Sequence, residues 1–477
     1  MPDCTKFYID GKWVDPVVPR TIDVENPATE AICGRISNGS AEDVDTAVRA
    51  ARRAFAKWSC STVAERLELL QAIHREYEKR YLDLAAAVTE EMGAPMSLSK
   101  GPQVGLGIAH LASAIEILKT FKFEESRGTT VIRREPIGVC GLITPWNWPL
   151  NQVAVKVFPA LATGCTMILK PSELSPFSAQ IFAEVLHDAG VPAGVFNLIQ
   201  GDGPSVGVAM SSHPGIDMIS FTGSTRAGID IARNAAASVK RVSQELGGKS
   251  PNIILDDASL PANVAAGVAS MMMNSGQSCS APSRLLVPRA RLAEAASAAR
   301  EAVQKISVGH PNREVVNGPV VSKIQFDRIQ GFIQRGLDEG ATAIAGGTGR
   351  PAGLERGYYV KPTVFSNVTN DMTIAREEIF GPVLVLLGYD SLDHAVEIAN
   401  DTEFGLAGYV SGADPEVCRS VARRIRAGSI SINGSFDING PFGGYKSSGN
   451  GREWGEAGFH EYLEVKAIAG FGAVASG

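Results

Sequence analysis

Three short motifs carry groups that can do chemistry on a carbonyl. Gly276-Gln277-Ser278-Cys279-Ser280 sets a thiol among small and polar residues, after a helix-like stretch over 263–273. That setting suits access better than core packing. A thiol becomes a nucleophile when it is reachable and its pKa is lowered, and nearby backbone N–H groups can lower it. A buried, inert cysteine fits the same local residues. Glu245-Leu246-Gly247-Gly248-Lys249 puts a carboxylate beside a flexible glycine pair, at the expected end of a helix. Beside a thiol it can act as general base for a hydrolytic water. Otherwise Gly247 caps the helix and Glu245 lies on a solvated face. Thr144-Pro145-Trp146-Asn147-Trp148-Pro149 ends an expected strand and opens a helix. Its prolines stiffen the backbone around Asn147, whose amide can donate to a developing oxyanion or simply pack in an aromatic corner.

Three further turns have the residues to hold a nucleotide. Phe221-Thr222-Gly223-Ser224-Thr225 follows a strand and precedes a helix, so its N–H groups can face a pyrophosphate. Gly201-Asp202-Gly203-Pro204-Ser205-Val206-Gly207 is a loose GxGxxxG that lacks the standard dinucleotide spacing. Lys170-Pro171-Ser172-Glu173 places a cation and an anion where ribose hydroxyls can be held. Ordinary turn chemistry explains each of these alone. The seven histidines include no i, i+4 pair around a Glu, which leaves a zinc hydrolase and any metal centre unsupported. There is no GxxxxGK[ST] for a P-loop and no GxSxG for a serine hydrolase.

These groups need elements to position them, and 477 residues exceed one ordinary core. Short apolar runs at 139–144, 166–169, 195–199 and 218–221 each precede a turn and a helix-like stretch. That alternation predicts βαβ units and a parallel sheet, with ligands beyond its carboxyl ends. A second α/β series follows Gly248, with strands expected at 252–255, 284–287, 382–387, 408–411 and 429–433. Ahead of both, residues 7–14 read as a hairpin turning at Asp10-Gly11. Ser40 then caps a helix, and one long amphipathic helix is expected over 64–91. Segments 126–134 and 462–468 read as strands outside both series. The expected layout is a cofactor domain over 1–123 and 140–247, a catalytic domain over 248–440, and an arm with the C-terminal segment over 124–139 and 441–477.

Composition narrows the class further. Nearly half the residues are apolar, a fifth are charged, and the net charge is −6 with both signs interspersed. No basic stripe for nucleic acid is present. The seven cysteines at 4, 33, 60, 140, 165, 279 and 418 are scattered without a CxxC pair, which points to a reducing, cytoplasmic setting. The sequence shows no basic patch with an apolar run at its start and no membrane-length apolar stretch.

Taken together, the ordered set ITPWNWPL, KPSE, FTGST, ELGGK, GQSC, EEIFGPV and PFGGYKSSGNGRE resembles the aldehyde dehydrogenase superfamily over nearly the whole chain. The resemblance implies an α/β fold: a variant Rossmann cofactor domain, an α/β catalytic domain and a small β oligomerisation arm, hence a homodimer or homotetramer. It implies oxidation of a small-molecule aldehyde to an acid with NAD. Cys279 matches the nucleophile, Glu245 the general base, and Asn147 the oxyanion donor, assisted by the backbone N–H of Cys279. Cofactor positions match Thr144, Pro145, Trp146, Lys170, Glu173, Gly203, Ser224 and Leu246, with Glu378 and Phe380 of EEIFGPV at the nicotinamide ribose. Lys156 and Glu453 match the family's proton-relay residues.

The resemblance also bears on selectivity. Glu173 would accept from a ribose 2′-OH and repel a 2′-phosphate, favouring NAD over NADP. The Glu of ELGGK favours water over coenzyme A as acyl acceptor. Substrate positions match Asn151, Val155, Ser278, Ser280, Phe436 and Phe442. No Arg stands at 155 to hold a carboxylate, so a neutral aliphatic or aromatic aldehyde is expected. A cysteine acyl hydrolase using Cys279 and Glu245 would leave KPSE, FTGST and EEIFGPV unexplained. A non-catalytic protein on this fold would not need Cys279, Glu245 and Asn147 together.

Overall fold

The protein, represented by a computed structural model, is described over residues 3–471; residues 1–2 and 472–477, at the two ends of the expected layout, lie outside that range. An eight-stranded sheet has its parallel strands in the spatial order Arg241–Glu245, Met218–Thr222, Val139–Ile143, Thr166–Lys170, Phe196–Leu198. From the central strand the chain runs outward to one side, then crosses back to build the other. The reversal lies between Val139–Ile143 and Met218–Thr222, where an open α/β sheet leaves a crevice for a ligand. Register brings Ile143 beside Lys170 and Phe221, and Thr222 beside Glu245. The motif residues that follow these strands therefore share one edge.

The hairpin forms as read. Asp10 and Gly11 sit at φ 53 and 76, the left-handed pair a two-residue hairpin turn requires, and strand Phe7–Ile9 extends the sheet beyond Phe196–Leu198. Ser40 and Asp43 close a capping box on helix Ala41–Trp58. That helix buries Val44, Ala47, Val48 and Ala51 with Ile168 and Ile219 of the sheet.

Three elements differ from the sequence reading. The long helix over 64–91 is two helices, Val63–Lys79 and Tyr81–Met92, broken where Arg80 leaves helical geometry and its guanidinium pairs with Asp83 and Glu184. The single strand over 126–134 is a hairpin, Glu124–Arg127 with Thr130–Pro136, because Gly128 takes φ +61 at the turn. Most consequential, Glu245 ends a strand, not a helix: Arg241–Glu245 pairs with Met218–Thr222 and with Gly449–Asn450.

A seven-stranded sheet, parallel except at the Thr342–Ala345 edge, forms after Gly248 in the order Thr342–Ala345, Thr363–Ser366, Val383–Tyr389, Arg284–Pro288, Pro251–Ile254, Ala407–Ser411, Ser429–Ile432. A small antiparallel sheet joins Thr130–Pro136 to Leu463–Ala469 over seven residue pairs. Among the described residues no helix is long and apolar enough to cross a membrane.

Helix Phe177–Asp188, which follows the Lys170–Glu173 turn, is anchored by a buried carboxyl. Glu91 accepts from Phe177 N at 2.5 Å, Ser178 N at 3.3 Å and Ser178 Oγ at 2.5 Å. Burial pushes its pKa up to about 8 against those bonds. Glu91→Ala strands two backbone donors and a hydroxyl inside the protein. We expect a loss of about 3 kcal/mol, visible as a lower urea midpoint at unchanged slope. An unmoved midpoint would show that the anchor contributes nothing.

Candidate active site

Cys279 stands where the two large sheets meet. Helix Leu260–Met272 ends in a tight turn in which Asn274, Ser275 and Gly276 are all left-handed, at φ 55, 55 and 71. A Cβ on Gly276 would lie 2.2 Å from the carbonyl oxygen of Gly381, so only glycine lets the turn pass. This turn presents Gln277 and Ser278 to the TPWNWP segment. Asn147 Nδ2 donates to Gln277 O at 3.0 Å, and Trp148 Nε1 to Ser278 Oγ at 2.8 Å. The Asn147 carbonyl is itself held by Gln103 Nε2 at 3.0 Å and Asn274 Nδ2 at 2.9 Å. Asn147 is thus locked beside Cys279 with one N–H of its amide still free to donate.

The thiol is not acidified at rest. Burial, then Glu378 and Glu245, raise the Cys279 pKa to about 12, outweighing the lowering by the backbone N–H groups of Ser280 and Cys279. The expected lowering by local N–H groups is present, but it loses. The cysteine is partly exposed nonetheless, so a small molecule can reach it.

Glu245 is 3% exposed, and neither carboxyl oxygen has a hydrogen-bond partner among the described residues. Burial and Glu453 push its pKa well up, against Lys156 and Arg452. A carboxyl so placed is a strong base for whatever proton donor enters. Gly443 lets it lie close, since a Cβ there would meet Glu245 Oε1 at 2.7 Å. Lys156, from helix Pro149–Thr163, and Glu453, from the C-terminal segment, form a buried ion pair, with Lys156 Nζ also donating to Ser220 Oγ at 3.1 Å. Both charges act on Glu245.

The nucleotide-type residues line the same edge of the first sheet. Thr144, with Pro145 and Trp146, follows Val139–Ile143, and its Oγ1 is buried without a partner among the described residues, as is Thr222 Oγ1. Lys170 is 3% exposed and reaches Pro171 O at 2.8 Å and Glu173 Oε2 at 3.5 Å; burial lowers its pKa. Gly203 opens a wide helical turn capped by Asp202, and added Cβ atoms at Gly203 and Gly207 would meet nothing within 4 Å. Ser224 caps helix Thr225–Ala236 and accepts from Ala227 N at 3.3 Å. Leu246 is buried against Gly228. From the second sheet, Glu378 Oε1 accepts from Gly248 N at 2.9 Å, and burial raises its pKa to about 7. Phe380, left-handed at φ 59, meets Trp146 edge-on at 5.3 Å. Open space over glycines, a helix N-terminus, unpaired hydroxyls and two carboxylates are a donor and acceptor set that fits a dinucleotide.

Of the expected substrate positions, Val155 is buried, Ser278 is taken by Trp148, and Ser280 O accepts from Tyr409 OH at 2.8 Å. Phe442 stacks on Trp454 at 4.5 Å, and the exposed Phe436 meets Trp454 at 5.7 Å. Sequence reasoning missed Trp454 and His110, whose rings lie 5.1 Å apart, and the positioning residues Gln103 and Asn274. Trp454 holds φ 66, rare for a bulky residue and unmarked by any local motif.

Fold and site together define an α/β enzyme with a cysteine between a dinucleotide-type crevice and an aromatic-walled entrance. The family described as "Aldehyde dehydrogenase family" matches residues 13–468, and the chain belongs to it. It is 54% identical over 474 residues to a 3-succinoylsemialdehyde-pyridine dehydrogenase of a Pseudomonas species, covering 99% of each chain. It is 49% identical to a putative aldehyde dehydrogenase of Staphylococcus epidermidis, covering 99% of this chain and 100% of that one. Among solved structures, it matches a cysteine-to-alanine mutant of aldehyde dehydrogenase C from Pseudomonas syringae, in complex with NAD+ and octanal. The TM-score is 0.98 at 54% identity, over 99% of this chain and 98% of that one. An aldehyde dehydrogenase of Bartonella henselae matches at TM-score 0.96 and 48% identity, over 98% of this chain and 100% of that one.

Proposed function

We propose that this enzyme oxidises an uncharged aldehyde to its carboxylic acid through a thioester on Cys279, with NAD as cofactor. The observation that carries the reading is the convergence on Cys279 of a locked amide donor, Asn147, and an unpartnered buried carboxyl, Glu245. Cys279 loses its proton to solvent, its Sγ attacks the aldehyde carbon as the thiolate, and the carbonyl oxygen becomes an alkoxide. The free Asn147 N–H and the Cys279 backbone N–H stabilise that charge; losing one such donor costs about 10²–10³ in rate. NAD, held by the residues named below, would supply the hydride acceptor through which this adduct becomes a thioester. Glu245 then takes a proton from water as it attacks the thioester carbonyl, the acid leaves, and Cys279 is restored. The Lys156–Glu453 pair, buried within the field of Glu245, passes the proton onward.

Thr144, Pro145, Trp146, Gly203, Ser224 and Leu246 would hold the cofactor's phosphates and adenosine side. Lys170 and Glu173 would hold one ribose, and Glu378 with Phe380 the ribose next to the nicotinamide. The ring-lined entrance and the lack of a cation at Val155 favour a neutral aldehyde over a carboxylate-bearing one; octanal, bound by the Pseudomonas syringae relative, is such an aldehyde. The exposed faces of Leu463–Ala469, with Val465 67% exposed, suit contact between subunits in a homodimer or homotetramer. Seven free cysteines suit a reducing cytoplasm.

The test is NADH absorbance with an aldehyde panel, run with NAD and NADP in parallel. Octanal is expected to turn over, and kcat/KM with NAD to exceed that with NADP at least about tenfold, the carboxylate of Glu173 repelling a 2′-phosphate. Reduction of neither cofactor by any aldehyde would defeat the reading.

A further inference from the structure

Four cations gather around the amino ends of the second sheet, and among the described residues none is bonded to a carboxylate. Lys249, which leads into strand Pro251–Ile254, is 2% exposed, and its Nζ has no hydrogen-bond partner among those residues. Arg284, which opens strand Arg284–Pro288, is fully buried and donates only to uncharged acceptors. They are Lys249 O at 3.0 Å, Asn370 Oδ1 at 3.1 Å, and Ile398 O and Ala399 O at 2.9 Å. Lys446 Nζ donates to Asn400 O at 2.8 Å and Thr402 O at 3.0 Å. Among the described residues Arg426 donates only through its backbone N–H, to Asn400 Oδ1 at 2.7 Å. Asp401, the carboxylate that acts on Arg284 and Lys446, is held by Arg376 and by Asn370 Nδ2 at 2.8 Å. Glu378 and Glu377 act on Lys249 only through space.

Lys249 and Arg426 line a small cavity, about 10 Å³, together with Pro251, Thr402, Phe404 and Leu406. That is room for one water or one ion of similar size. The carbonyls that end helix Leu392–Asn400 would repel an anion, but Arg284 and Lys446 already take them. A buried ammonium without a counter-charge either gives up its proton or gains an anion. Burial, then Arg284, push the Lys249 pKa down to about 7, against Glu378 and Glu377. Near neutrality the proton is therefore held loosely, and an anion beside Nζ would draw it back.

We propose that this cavity binds one small monovalent anion of chloride's kind, held by the Lys249 ammonium and Arg426 within the field of Arg284 and Lys446. A water in its place would leave four like charges uncompensated, and an organic acid exceeds the volume. The site uses neither cofactor nor aldehyde. It lies one residue from Gly248, whose N–H goes to Glu378 and whose missing side chain leaves room for the Cys279 carbonyl. Leu406 Cβ would lie 3.3 Å from a Cβ on that same glycine. The anion thus braces the segment beneath the reactive cysteine.

The first test is thermal melting at pH 6, with sodium gluconate exchanged for sodium chloride at constant ionic strength. Gluconate is too large for the cavity, so charge screening is matched between the two salts. A ligand bound only by the folded state raises Tm. Compared with Lys249→Met, the wild type should gain about 1–3 °C on passing into chloride. The second test is the anomalous signal of wild-type crystals soaked in sodium bromide, with a peak expected beside Lys249 Nζ. It needs no variant, and it decides the matter if Lys249→Met does not fold. A cavity without bromide overturns the proposal. So does a bromide peak alongside the same salt response in wild type and Lys249→Met, which would mark an adventitious ion only.

Discussion

Cys279→Ala is expected to abolish aldehyde-dependent NADH formation while NAD still binds. No other thiol can replace it: Cys140, Cys165 and Cys418 are fully buried, Cys4 and Cys33 belong to a separate cluster near Phe177, and Cys60 lies at the surface after helix Ala41–Trp58. Removing a nucleophile of this kind typically costs about 10⁴–10⁶ in turnover. The fold should tolerate the change, because the close packing here is made by the Cys279 backbone: its carbonyl oxygen would lie 2.4 Å from a Cβ on Gly248. The residues assigned to the cofactor hang mainly from the first sheet, at Thr144, Lys170 and Ser224, whereas Cys279 comes from the second. A fluorescence titration with NAD should therefore give a Kd within a few-fold of wild type. Residual steady turnover above about 1% of wild type would remove Cys279 from the nucleophile's role.

How far these roles were readable in advance varied with the kind of constraint behind them. Motifs that end a strand or cap a helix are local, so Thr144–Pro149, Ser40 with Asp43, and the Asp10-Gly11 turn carried their geometry in their own residue types. Glu245 misled because Gly247-Gly248 reads as a helix cap. The glycines serve approach instead: Gly247 and Gly248 leave room for Glu378 and for the Cys279 carbonyl. Lys156 and Glu453 lie 297 positions apart, and only the fold makes them a pair. Their match to family motifs pointed to both, but not to their contact. His110 was invisible for a different reason. It is one histidine on an apolar helix, and its partners, the bonded Asn151 and the ring of Trp454 at φ 66, are brought beside it only by the fold. Such strain is stored where a site needs it and has no composition of its own.

Glu245→Gln should separate the two halves of the reaction. In the proposed mechanism, forming the thioester needs the Cys279 thiolate, the oxyanion donors and the cofactor; hydrolysing it needs a base for water. The variant is expected to release one equivalent of NADH per active site in a burst and then stall, with hydrolysis slowed about 10²–10⁴-fold. Glutamine keeps the volume and lacks the charge, so Asn147 and the turn before Cys279 should stay in place. The pH profile gives the sign. Burial and Glu453 hold the Glu245 pKa well above that of an ordinary carboxyl. The base form is the ionised one, so wild-type kcat should climb with rising pH over a range well above that of an ordinary carboxyl, and fall as acid protonates Glu245. The slow turnover left in the glutamine variant should lose that acid limb. Loss of the carboxylate also removes a charge that raises the Cys279 pKa. The burst itself should then be no slower than in wild type. A variant with unchanged steady-state turnover would place the base elsewhere, and one that shows no burst while still binding NAD would place Glu245 in thioester formation as well.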